Sequence, residues 1–301
     1  MKRILLTVVA AALCSTSALL AQVNERVIYA SVVSAKGDPV AGLTAKDFIV
    51  REDGVAREIL RVAKDDDPLQ IALLVDNSAD MREKLADLRR ALSAFVSTLR
   101  PDVQLSIITT AERPTVLVPY TRDHAELQRG IDRLIAFEAG NYVLDGIAEA
   151  SQGLAKRTLS RSVIAIVTSR GPEYSHRQYT EVLRIVKESG SPALHVLMVA
   201  NAEVDKAMFD IQRRSPTDNL DTGNGPERDI VLGRLTKDTG GRHEDVLSMS
   251  ALAFKLQQMS SELSNQYRVV FASPDRLIPS TKTEISARDP KLTARGMLKA
   301  Q

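Results

Sequence analysis

The sequence predicts an α/β fold: a doubly wound, mostly parallel β-sheet with helices on both faces, joined to a small β-sandwich built from both chain ends. Three observations carry this reading. Between residues 68 and 266, apolar runs of strand length alternate with amphipathic helical stripes, the pattern of a sheet covered on both sides. Segments 24–66 and 267–300 instead hold short strand-like stretches broken by turn residues, and neither is long enough to bury a core alone. The 301 residues, 44% hydrophobic and 26% charged, have an ordinary globular composition with room for one large domain or two smaller ones.

Residues 1–21 stand apart. Lys2 and Arg3 precede an apolar run from Ile4 to Leu13, and small residues follow at Ala18 and Ala21. That is the layout of a secretory signal peptide cleaved near Ala18 or Ala21, and the run is too short for a membrane span. Leu13 is a poor fit to the small residue expected before a lipid-modified Cys14. The expectation is therefore an exported monomer, periplasmic or extracellular, without lipid and without membrane insertion after cleavage. Cleavage removes Cys14, the only cysteine, so the mature chain forms no disulfide and has no thiolate ligand. It also removes two of the 40 basic residues and brings them to parity with the 38 acidic ones. Neutral charge, no tryptophan and 4% aromatics give no footprint for nucleic acid.

The N-terminal β segment, 24–66, is punctuated at Gly37-Asp38-Pro39 and Asp53-Gly54. Asp65-Asp66-Asp67, just before Pro68, reads as a solvated linker, with a calcium site as the less favoured alternative. In the central domain, 68–266, strands are expected at 69–76, 104–110, 115–120, 162–169 and 193–200, several apolar enough to be buried on both sides. Leu85, Leu88, Leu92, Phe95 and Leu99 make one helical stripe over 80–99. Further helices fit 124–135, 143–157, 178–189 and 250–265. The C-terminal β segment, 267–300, has strand-like stretches at 267–273, 281–288 and 292–300, and is expected to pair with 24–66.

In an open sheet of this kind ligands bind outside the carboxyl ends of the strands. At such an end stands Asp76-Asn77-Ser78-Ala79-Asp80. This stretch resembles the first metal loop, Asp-x-Ser-x-Ser, of the von Willebrand factor type A domain. Residues 42–59 (GLTAKDFIVREDGVAREI) and 239–271 extend the resemblance to secreted bacterial proteins related to that domain. The resemblance implies a Rossmann-like sheet, a non-enzymatic module and magnesium held by three loops.

Carried over residue by residue, the implied ligand set is altered. Asp76 and Ser78 match, Asp80 stands for the second serine, Asn141 for the threonine of the second loop, and Ser169 for the aspartate of the third. Arg170 would add a positive charge beside the site, repelling a cation by about 3 kcal/mol per charge pair near 5 Å at an effective dielectric near 20. Weak magnesium binding at Asp76, Ser78 and Asp80, or none, is the expectation. A second reading of Asp80 is as a helix cap, three residues before Glu83. Asn141 likewise has the chemistry to cap a helix from Val143, and Asp145 suits its first turn.

No catalytic constellation is legible. The four histidines, His124, His176, His195 and His243, occur in no zinc-protease spacing, and there is no Gly-x-Ser-x-Gly or phosphate-binding glycine loop. Ser175-His176 is the pair that could approach Ser169, and His195 opens an apolar strand as a packed residue. The function expected is binding of a protein partner through the strand-end loops, Asp76, Asn77, Ser78, Asp80, Asn141 and Ser169 among them. The polar stretch 213–229 enlarges that rim. The alternatives are metal-dependent adhesion through Asp76 and Ser78, a scaffold role through the sandwich edges and, least favoured, a hydrolase.

Overall fold

The computed structural model describes residues 23–157, 161–200, 225–274 and 280–299. The stretch read as a signal peptide, 1–21, and residues 213–224 of the long polar stretch lie outside them.

A six-stranded sheet organises the centre. Its strands are β5 (Leu69–Val75), β6 (Gln104–Thr109), β7 (Thr115–Thr121), β8 (Arg161–Ser169), β9 (Ala193–Val199) and β10 (Arg242–Val246). They lie in the order β10-β9-β8-β5-β6-β7. All neighbours are parallel except β7, which runs antiparallel to β6 at one edge. Every residue of β5 and β9 is buried, as two-sided burial requires of such apolar runs. One face packs against α1 (Leu85–Thr98), α2 (His124–Asp132) and α6 (Met249–Ser264), the other against α3 (Val143–Ala155), α4 (Tyr179–Glu188) and α5 (Gly225–Asp238).

The two chain ends meet in antiparallel sheets. β1 (Val23–Val33) lies between β11 (Tyr267–Pro274) and β13 (Thr293–Leu298), and β4 (Ile59–Lys64) pairs with the far side of β11. β2 (Phe48–Glu52) pairs with β3 (Val55–Arg57) and β12 (Thr283–Ala287). Asp53 and Gly54 both take positive φ between β2 and β3, the backbone of a two-residue hairpin turn matched to strand twist. Between these sheets lies a separate core of Ile28, Val32, Phe48, Val50, Val269 and Phe271.

The terminal strands also touch the central core. Tyr29 and Met297 belong to the same buried cluster as β5 and α1. The pair Gly240-Gly241 explains part of the 239–271 signature: a Cβ at Gly240 would stand 1.7 Å from Gly296 O, and one at Gly241 1.8 Å from Leu194 O. Only glycine lets the α5–β10 turn pass that close to both backbones.

Four expectations need correction. The first helix begins at Leu85, not 80, behind a short 3-10 turn at Ala79–Met81, because the chain first turns across the strand end. β10 is not foreseen from the sequence, since RHEDV at the sheet edge is charged where the inner strands are apolar. The end of the polar stretch, 225–229, opens α5, with Pro226 where a first helical turn tolerates it.

The last concerns Asp65, which is no solvated linker residue. It is fully buried and ion-paired with the fully buried Arg161. Arg161 also donates to Asp67 O (3.0 Å), Leu263 O (2.9 Å) and Gln266 Oε1 (2.6 Å), and lies 5.4 Å from the Tyr29 ring centre. Burial raises the Asp65 pKa and lowers that of Arg161, and each charge partly offsets the other's desolvation. The three carboxylates of Asp65, Asp66 and Asp67 do lie within 4.8 Å of one another. Asp65 is engaged by Arg161, however, and Asp67 accepts the Tyr29 hydroxyl at 2.5 Å.

Candidate functional site at the strand ends

The chain leaves β5 at Val75 and turns sharply, which drops the Asp76 side chain between the ends of β5 and β8. Asp76 is buried, so its carboxylate needs donors, and the neighbouring loops supply them. Oδ2 accepts from Ser169 N (2.9 Å), Ser169 Oγ (2.8 Å), Asn141 Nδ2 (3.1 Å) and, at longer range, Thr168 Oγ1 (3.4 Å). Oδ1 accepts from Ser78 N at 2.9 Å. Both oxygens are thereby engaged by protein donors.

Asn141 is the hub of this arrangement. Its amide nitrogen faces Asp76 and donates to Oδ2. It also reaches Thr168 Oγ1 (2.8 Å), while its oxygen accepts from Thr110 Oγ1 (2.6 Å). Its backbone bridges Ala111 on one side and Glu173 on the other. The second loop is thus stitched to the β6–β7 turn and to the third loop at one residue. Asn141 does not cap α3, whose cap position is Tyr142.

Asn77 faces elsewhere. It donates to Ile135 O (2.9 Å) and accepts from Ala111 N (3.0 Å), bracing the segment after α2. Asp80 does not cap α1, whose cap position is Lys84. Its carboxylate lies instead against the third loop, where a Cβ on Gly171 would stand 1.5 Å from Oδ2. Ser78 is buried with a hydroxyl that has no hydrogen-bond partner among the described residues. Arg170 turns aside and pairs with Asp245 at 2.6 Å, so its charge is compensated at the β10 end.

Of the six residues expected here, Asp76, Asn141 and Ser169 form one hydrogen-bonded cluster and Ser78 joins it through its backbone. Asn77, like them, is buried. What solvent meets above them is different: Phe137 (37% exposed), Tyr174 (39%), Ile135 (55%) and, beyond β10, Leu247 (85%). Tyr174 is seated on Gly140, where a Cβ would stand 1.9 Å from the ring.

Three supporting residues, Thr110, Arg228 and Glu173, have no signal in the sequence reading, whereas Thr168 stands beside Ser169 in the third loop. Buried Thr110 is an ordinary strand-end residue in sequence. Arg228, buried on α5, donates to Gly171 O at 2.7 Å and holds the third loop from beneath. Glu173 lies buried at the start of α3, accepting from Val143 N and Leu144 N (3.3 Å each) and from the Ser175 hydroxyl. A carboxylate there suits a helix N-terminus, but burial outweighs these bonds and pushes its pKa up to about 7. The folded pKa thus lies above the unfolded value of 4.5. This stabilising contribution is therefore complete below about pH 4.5 and is lost as pH rises to about 7, a span of about 3 kcal/mol. Urea titrations across that range should show this fall in the parent protein and not in Glu173→Gln.

Among the described residues, the Ser175-His176 pair is engaged away from the cluster. Asp145 N donates to Ser175 Oγ, His176 N donates to Asp145, and the His176 ring packs on Tyr142 at 5.7 Å. Neither Ser175 nor His176 hydrogen-bonds to Ser169. His195 lies mid-sheet, fully buried, its pKa driven down to about 4 chiefly by burial.

Comparisons with known proteins agree with this architecture. Residues 71–172 match the family model described as von Willebrand factor type A domain. A von Willebrand factor type A structure from Catenulispora acidiphila aligns over 92% of this chain and 72% of that one, at 12% identity and a TM-score of 0.50. The conserved hypothetical protein BatB from Bacteroides thetaiotaomicron aligns over 65% of this chain and 100% of its own, at 16% identity and TM-score 0.46. An aerotolerance-related membrane protein from Bacteroides fragilis aligns over 64% and 98%, at 14% identity and TM-score 0.43. No curated protein matches the chain by sequence. With its mostly parallel sheet and an aspartate loop at the carboxyl end of β5, the matched segment 71–172 is similar to a von Willebrand factor type A domain.

Proposed function

We propose that this is an exported, non-enzymatic protein-interaction module that binds a protein partner through its strand-end rim, with weak or no dependence on a divalent metal. Domains of this family typically serve in protein interaction or adhesion, often through magnesium. The observation that carries the reading is the engagement of Asp76: both carboxylate oxygens accept protein N–H or O–H groups. Magnesium requires an octahedron of hard oxygens. The residues here do not fit that requirement, because Asn141 turns its amide nitrogen, a donor, toward Asp76, and Ser78 Oγ is a single neutral hydroxyl. The cluster reads instead as a hydrogen-bonded plug that holds three loops in one arrangement and presents Phe137, Tyr174 and Ile135 above it. Partly exposed aromatics on a rigid base are the residues that anchor interfaces. Among the described residues no helix is long and apolar enough to cross a membrane.

Two measurements test this. In thermal melts, one millimolar magnesium should add no more than the ~0.4 kcal/mol expected for a millimolar dissociation constant, against ~4 kcal/mol for a micromolar one. A rise of many degrees, abolished by Asp76→Ala, would restore the metal-dependent reading. A photo-crosslinking side chain at position 137 or 174 should capture a protein from envelope extract in the presence of EDTA. Capture only from position 61, on edge strand β4, would move the interface to the terminal sheets.

A further inference from the structure

A groove of about 370 Å³ lies between α3 and the edge strand β7, bordered by Ile108, Val116, Pro119, Tyr120, Ala150 and Arg157. Its origin is topological. After β7 the chain returns to the opposite face of the sheet, where Leu127 and Ile131 of α2 enter the core with α1. On the near face α3 lies against β5 and β8 and carries small residues, Gly146, Ala150 and Gly153, toward the groove. Part of β6 and β7 is therefore uncovered, and a Cβ placed on Gly153 would meet nothing within 4 Å.

One end of the groove carries an uncompensated charge. The Arg157 guanidinium stacks 4.1 Å from the Tyr120 ring centre and donates from Nε to Gln70 Oε1 (3.1 Å) and from Nη2 to Gln104 Oε1 (2.6 Å). Both acceptors are neutral. Among the described residues Arg157 has no carboxylate within ion-pairing distance and its Nη1 has no acceptor. Two glutamines and an aromatic face hold the guanidinium in place, so an anion meeting it loses little side-chain entropy. Glu149 stands exposed at the mouth on α3 and disfavours a second negative group there.

We infer that this groove binds a small apolar monocarboxylate, its carboxylate on Arg157 and its hydrocarbon or aryl body along Ile108, Val116 and the Gly146–Gly153 face of α3. The volume lies in the range of ligand sites. Since an apolar cavity of about 150 Å³ holds benzene, this one admits a body of roughly ten to fifteen non-hydrogen atoms. The site is separate from the strand-end rim and independent of the partner reading.

Octanoate is the probe, titrated into the mature full-length protein by calorimetry, with octanol and octylamine as neutral and cationic counterparts. Saturable octanoate binding at least about tenfold tighter than either counterpart is expected. Arg157→Gln should bring octanoate and octanol level. Gly153→Leu grows into open space, so it should keep the parent melting temperature while abolishing octanoate binding. The inference is overturned if octanol or octylamine matches octanoate on the parent protein. It is equally overturned if octanoate binds Gly153→Leu unchanged, or if no saturable binding occurs at millimolar concentration.

Discussion

Replacing Arg161 with methionine is expected to cost about 3–5 kcal/mol of folding stability, because it leaves the Asp65 carboxylate buried without a counter-charge. Arg161 begins β8, Asp65 lies between β4 and β5, and Gln266 precedes β11, so the guanidinium joins the central sheet to the terminal strands at one point. Asp65→Asn should cost a similar amount for the mirrored reason. The double variant Asp65→Leu, Arg161→Met should recover most of the loss, since two apolar side chains replace both desolvated charges. Urea denaturation of the three variants at neutral pH measures the cycle. Single-variant losses under about 1 kcal/mol would show that the pair is not a structural tie. The same contact bears on the domain division proposed from sequence: a fragment of 68–266 would retain Arg161 and lose Asp65, and should fold less stably than the whole chain.

Asp76→Ala is the second large effect. It strips the acceptor from Ser169 N, Ser169 Oγ, Ser78 N and Asn141 Nδ2 in a buried site. Each orphaned buried donor costs about 1–3 kcal/mol, not additively, so a loss of about 3 kcal/mol or more is expected with or without magnesium. Ser78→Ala makes the contrast. Its hydroxyl has no partner among the described residues, so truncation should change stability by less than about 1 kcal/mol. If the two variants lost equal stability only in the presence of magnesium, the pair would be acting as metal ligands and the plug reading would fail.

The alternation of apolar runs with helical stripes is enough to place β5, β6, β8 and β9, because a strand buried on both faces must be largely apolar, while the half-exposed edge strand β7 is legible from its β-branched Thr115, Val116 and Val118. β10 and α5 escape that logic, one being a charged edge strand and the other opening from a stretch rich in Pro, Gly and Asp. The strand end itself is legible by the same logic, since Asp76 directly succeeds an apolar strand.

Partners in space are not. From the sequence, Asn141 and Asp80 can each be weighed as a helix cap, since both have the right side chains near a helix start. Only the folded chain turns the Asn141 amide onto Asp76 and lays Asp80 against Gly171. Arg170 reads as a charge opposing a metal and is instead paired with Asp245, while Arg228, on α5 and outside any local motif, supports the third loop from beneath.

The division has one physical cause. Burial and helix or strand formation depend on patterns a few residues long, which the chain carries locally. The direction of a polar side chain at a strand end depends on which donors and acceptors other loops bring within about 3 Å, and loops far apart in sequence meet only when the sheet has formed. Arg161 and Asp65, separated in the chain by β5, α1, β6, β7, α2 and α3, are the clearest case: Asp65 reads alone as a solvated charge, and their burial together is a property of the tertiary structure.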